Sequence, residues 1–187
     1  MAPIIPQKAF AIIGMCLCFP HFSYAQGAAL LQPYAGEETR QIKSLSEKDV
    51  EDLQAGRGWG LAKPAELNGY PGPAHVLEAA EDLQLSPETR ARVEAIYADM
   101  NAEARRLGAL YIEAELQLEN AFSDKSAEPE VLKRLLADAE ALRAQLRQTH
   151  LEAHLETAPL LTRHQKMLYA RLRGYDTGNG HDHGGHH

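Results

Sequence analysis

The chain has 187 residues, a formal net charge of −7, 44% hydrophobic and only 6% aromatic side chains. That is enough for one globular domain with an appendage, and the Ala, Leu, Glu and Arg bias favours helix because these side chains lose little rotamer freedom there. The acidic balance lacks the basic stripe that a nucleic-acid binder shows, so nucleic acid is not expected as a partner.

The first 25 residues read as an address. Lys8 supplies a positive start, residues 9–19 form an apolar run too short to span a bilayer, and Ser23-Tyr24-Ala25 places small residues where a signal peptidase cuts before Gln26. A cleavable signal peptide, 1–25, and export to the periplasm are therefore expected. Both cysteines, Cys16 and Cys18, fall in that segment. The exported chain would have no thiol for a disulfide, a nucleophile or a thiolate metal site.

Residues 26–73 form an N-terminal extension. A lead to about residue 39 precedes a short helix opened by Ser46, with Asp49 placed to close a capping box and Val50 and Leu53 on one face. Gly56-Arg57-Gly58-Trp59-Gly60 ends it. With no strand before it and no Gly-Lys-Ser/Thr after it, this run reads as a linker with Trp59 packed on the body, not a phosphate cradle. Asn68-Gly69-Tyr70-Pro71-Gly72-Pro73 is a second break, followed by a helix predicted over 74–83.

Ser86-Pro87 supplies an N-cap and N1 for the longest element, about 36 residues or roughly 54 Å if helical throughout. Its seam is Val93, Tyr97, Met100, Ala104, Leu107, Tyr111, Ala114 and Leu118. A polar turn over 123–128 leads to a second long helix, 129–157, with the seam Leu132, Leu135, Ala139, Leu142, Leu146, Thr149 and Ala153. Spacings of four and three on both sides, joined by a short link, predict antiparallel neighbours. Thr162 and Gln165 form a capping box for a last short helix ending near Gly174, and the Gly-, Asp- and His-rich tail, 175–187, is expected to be disordered. The fold class is thus all-α: a long antiparallel helical hairpin with short flanking helices. The many alanines in its seams predict a dimer.

Two helix starts resemble each other: Leu85-Ser86-Pro87-Glu88-Thr89 and Leu161-Thr162-Arg163-His164-Gln165. The second fits the Leu-Thr-x-x-Gln signature that occurs twice in the Spy/CpxP family of periplasmic stress proteins. The first departs from it, with Ser86 for Thr and Thr89 for Gln. The order of signal, short helix, two long helices and short helix is also similar to that family over residues 74–174. The resemblance implies a cradle-shaped dimer in the envelope-stress setting. It further implies either ATP-independent binding of unfolded clients, inhibition of a sensor kinase, or a zinc- or nickel-responsive role in metal resistance. On a cradle of that kind, Arg105 and Arg106 would line a concave face and meet acidic clients.

No catalytic constellation is visible: there is no mature cysteine, no Gly-x-Ser-x-Gly, and the carboxylates are scattered, so an enzyme is not expected. No cofactor is required. His150 and His154, four apart on a helix, can serve one Zn, Ni or Cu ion, but two imidazoles are an incomplete set. His181, His183, His186 and His187 in the tail chelate by composition. His75, just after Pro73, reads as structural. The leading expectation is a periplasmic envelope-stress protein that binds unfolded clients without ATP; the alternative is a periplasmic heavy-metal sensor or buffer.

Overall fold

The structure, a computed structural model, describes residues 33–175. The expected signal peptide with Cys16 and Cys18, and the tail histidines His181, His183, His186 and His187, lie outside the described residues. The chain divides at Ala35 into two compact units, and everything below concerns the unit that begins at Gly36.

Among the described residues there are helices and no strands: α1 (Glu47–Gln54), α2 (Lys63–Glu66), α3 (Pro73–Glu78), α4 (Pro87–Ser123), α5 (Pro129–Thr157), a 3₁₀ turn (Ala158–Leu160) and α6 (Arg163–Leu172). The expected caps start three of them. The hydroxyls of Ser46, Ser86 and Thr162 accept from the backbone N–H of Asp49, Thr89 and Gln165, and the first and third of these are closed capping boxes. Each satisfies a backbone donor that the helix itself leaves orphaned. The Asp49 carboxylate sits below its ordinary pKa range, chiefly because the Ser46 hydroxyl donates to it and then because the Trp59 indole N–H does.

The two long helices lie along each other. Residues 96–103 of α4 share a groove with residues 149–156 of α5, and Tyr111 faces the Glu140–Arg143 stretch. Ala104 and Ala139 are almost fully buried, so small side chains hold the helices close. Two apolar clusters result. The first joins Ile42, Leu45, Leu53 and Leu61 to Ala104, Leu107, Tyr111, Ala114, Ala139 and Leu146. The second joins Val76, Leu83 and Val93 to Leu161 and Tyr169, with Leu85 packed against it.

Three elements differ from the sequence expectation. The stretch between the lead and α1, for which the sequence pattern gives no reading, is packed: Ile42 and Leu45 are buried, Ser44 donates to the buried Glu115 carboxylate at 2.7 Å, and Lys43 pairs with Glu119 at 2.5 Å. The helix expected over 74–83 stops at Glu78, and residues 79–85 turn instead. That turn, with Gln84 at φ 49°, still buries Ala80 and Leu83 while delivering Ser86 to its capping position. α2, with Pro64 in its first turn, gives no apolar periodicity in four residues and was not anticipated. Among the described residues, no helix is long and apolar enough to cross a membrane.

Candidate functional site

His150 and His154 project from the last turns of α5 under the loop Tyr70–Gly72, and both are buried, at 3% and 8% exposed. They line one cavity of about 330 Å³ together with His75 and Glu78 of α3, Tyr97, Met100 and Asn101 of α4, and the Gly56–Gly58 backbone. The helical spacing of four puts the two imidazoles on one face. What buries them is the chain passing over that face. Gly72 lies against the His154 ring so closely that a Cβ there would stand 2.6 Å from both Cε1 and Nε2.

The two histidines are held differently. His154 Nδ1 is 2.6 Å from the Tyr70 carbonyl, which can only accept, so the proton of a neutral ring sits on Nδ1 and the Nε2 lone pair is left free. The Glu66 carboxylate stands behind it, with Oε2 3.8 Å from the same Nδ1. Glu66 is in turn fixed by the Tyr169 hydroxyl at 2.6 Å, the Tyr175 hydroxyl at 3.1 Å and Arg173 at 3.5 Å. His150, by contrast, has a fully buried Nε2 with no hydrogen-bond partner. Burial pushes its pKa down to about 4, and the neighbouring His154 adds to the shift, so His150 is neutral at pH 7.

His75 also reaches this region. Its Nδ1 is 2.9 Å from Glu78 Oε2, which leaves its Nε2 free in the same sense. His75 and His154 line a second cavity of about 340 Å³ as well, whose other walls include Trp59, Lys63, Glu66, Arg173 and Tyr175. The sequence pattern reads His75 as structural and gives no sign of Glu66 or Tyr70 at all, because the loop that brings them to α5 lies some 80 residues away in the chain. The back-to-back turn residues around Pro71 were the one local hint, and they mark a break without saying what it covers.

A metal fits this donor set in part. Orienting one ring nitrogen by a carbonyl or carboxylate while the other stays free is how protein imidazoles are prepared for ligation. A buried imidazole nitrogen without a partner is a group that asks for an explanation. Yet among the described residues no group of three or more His, Cys, Asp or Glu side chains is placed to hold a metal ion, so His150 and His154 fall short of the four ligands of a tetrahedral site.

The remaining sequence candidates lie elsewhere. Arg105 is exposed and runs beside Gly56, while Arg106 forks onto Glu103 at 2.7 and 2.8 Å. Leu85 and Leu161 meet in the second apolar cluster, Ser86 and Thr162 cap their helices, and Gln165 also donates to the Leu83 carbonyl at 3.0 Å.

No protein-family model, curated protein or solved structure matches this chain.

Proposed function

We propose that the chain is an exported envelope protein that senses or buffers a transition metal, with His150 and His154 as two of its ligands. The observation that carries this reading is the buried, unpartnered Nε2 of His150 beside an imidazole whose Nδ1 is tied to the Tyr70 carbonyl, both on one cavity. Nitrogen donors of this kind suit Zn, Ni or Cu and not Mg or Ca. Bound there, the ion would supply a charge and a cross-link between α5 and its surroundings, and no reaction.

The setting is supported by the Spy/CpxP-like helix starts, whose leucines Leu85 and Leu161 pack into one cluster. In this reading α4 and α5 form an antiparallel hairpin, two copies pair into a cradle, and a sensor kinase is the partner that reads the metal state. Cleavage after Ala25 belongs to the same proposal: protein recovered from the envelope should give an N-terminal sequence starting at Gln26.

A second reading, client binding without ATP, is favoured by one observation. Leu110 and Phe122 on α4 and Leu136 and Leu155 on α5 are exposed large apolar side chains on the long helices. Such surface can cover apolar segments of an unfolding protein.

Calorimetric titration with Zn²⁺ separates the two. The full chain is used with Cys16→Ser and Cys18→Ser, which removes competing thiols. It should bind one ion tightly, and His150→Ala with His154→Ala should remove that ion. Superimposable isotherms for the paired substitution and its parent would eliminate the metal reading.

A further inference from the structure

We infer that the cavity beside Trp59 binds a small phosphate monoester with a flat or apolar body, its phosphate held by Lys63, Arg143 and Arg147. These three residues take no part in the cavity of His150, so the site stands independently of the metal reading.

Charge is the first observation. The chain is acidic as a whole, at −7. Yet one cavity of about 340 Å³ has Lys63, Arg143 and Arg147 in its wall and no carboxylate. Arg143 and Arg147 are four apart on α5, so their guanidinium groups leave one face of the helix. Lys63 comes from α2, and its stem folds back over Gly60. A Cβ at Gly60 would stand 3.3 Å from Lys63 Cε and 3.7 Å from Nζ. Arg143 is paired with Glu140, at 3.5 Å. Among the described residues, the side chains of Lys63 and Arg147 have no ion-pair or hydrogen-bond partner. Two uncompensated cations match a dianion. A phosphate monoester carries close to two negative charges at neutral pH. Guanidinium forks bind its oxygens in pairs, and an ammonium group meets it as a point charge.

The rest of the wall says what the phosphate is attached to. The volume lies at the small end of pockets that take organic ligands, about 300–1,000 Å³, and exceeds what bare phosphate fills. Trp59, Leu61 and Pro64 supply apolar surface. Trp59 is fixed in advance. Its backbone is left-handed, at φ 43°, a costly conformation for a bulky residue that persists only where the surroundings impose it. The indole N–H donates to Asp49 Oδ1 at 2.7 Å, and the ring packs at 5.8 Å from that of Tyr111. An indole already immobilised loses little freedom when a ligand arrives.

Trp59 is the one tryptophan of the chain, so tryptophan fluorescence reports on this cavity. The full chain with Cys16→Ser and Cys18→Ser is titrated at low ionic strength with phenyl phosphate, inorganic phosphate and benzyl alcohol. Phenyl phosphate should give a saturable change, inorganic phosphate one at least about tenfold weaker, and benzyl alcohol none. Lys63→Gln and Arg147→Gln should each weaken phenyl phosphate about tenfold, the low end for hydrogen bonds to charged groups. Arg92→Gln, which removes the same charge from an exposed position outside the cavity, should leave it unchanged. If a cavity variant loses its helical circular dichroism, the parent's salt response decides. Raising ionic strength from about 0.01 to 0.15 M shortens the screening length from about 30 to 8 Å and should weaken phenyl phosphate several-fold. No saturable change with phenyl phosphate, no response to salt, or equal affinity for benzyl alcohol overturns the inference. Equal affinity for inorganic phosphate removes the organic body and overturns it as stated. Equal weakening by Arg92→Gln reduces the effect to general charge attraction and overturns it too. Sedimentation with phosphatidic acid vesicles, without a response to phenyl phosphate, would move the phosphate to a membrane surface and exclude the cavity.

Discussion

His150 carries a cost that pH can expose. Its imidazole is neutral in the fold because burial, and then His154, lower its pKa from 6.5 to about 4. The unfolded chain takes up a proton between those values and the folded chain does not. Stability is therefore full above pH 6.5, falls as pH drops toward 4 and levels off below, a loss of up to about 3 kcal/mol. Carboxylates such as Asp49, whose folded pKa is depressed, lose their contribution only at lower pH, as it falls through their own folded values. Urea midpoints at pH 7 and pH 4.5 check this: the parent should lose markedly more than His150→Gln, and equal losses would mean that His150 is not the group responsible. The pairing of His150 with His154 was legible from their spacing of four. Their burial was not, because Thr149 and Ala153 hold the adjacent seam positions and the cover comes from Tyr70–Gly72 through a contact that no local pattern encodes.

At the level of elements, caps made the long helices readable. Pro87 and Pro129 mark first turns, Ser123-Asp124 closes α4 and Ala158-Pro159 closes α5, so the bounds of both helices follow from local chemistry. Gly108 lies in the middle of α4, where glycine weakens a helix. It is where α1 crosses: a Cβ there would lie 2.4 Å from the Leu53 carbonyl oxygen. Asn101 reinforces the same junction by donating to the Ala55 and Gly56 carbonyls at 2.9 and 3.3 Å. Gly108→Ala should therefore destabilise by about 1–3 kcal/mol through overpacking against backbone, although alanine in a free helix would gain about 1 kcal/mol. Denaturant melts read this directly; a more stable variant would show that α1 does not seat on α4 in solution. The extension around α1 and α2 was the least legible part. Its buried residues Ile42, Leu45 and Leu61 sit in turns, where hydrophobic periodicity does not exist to be read.

For the whole molecule, the all-helical character follows from composition, and the core is divided between the long helices and the extension that wraps them. The exposed Leu110, Phe122, Leu136 and Leu155 are what a paired, client-covering form would use. Sedimentation should then show a species of twice the monomer mass at tens of micromolar, roughly where an association of about 7 kcal/mol populates. That species should slow the aggregation of an unrelated unfolding protein at near-equal ratio without nucleotide. A monomer that leaves aggregation unchanged would remove the cradle and the client-binding reading together.

The two apolar clusters leave a seam between them. Along α4 the cavity residues Tyr97, Met100 and Asn101 fall between Val93 of one cluster and Ala104 of the other, and beyond α4 His150 and His154 fall between Leu146 and Leu161. The body is thus two hydrophobic blocks with a hollow band between them, crossed by the long helices and covered by the Gly56–Gly58 and Gly72–Pro73 stretches of the extension. Regions with few apolar contacts open at lower free energy than the blocks they join. Amide exchange should therefore be faster around residues 97–101 of α4 and 150–154 of α5 than in the blocks on either side. An ion seated in that band would act as a rivet, turning two loosely coupled halves into a single unit that opens all at once.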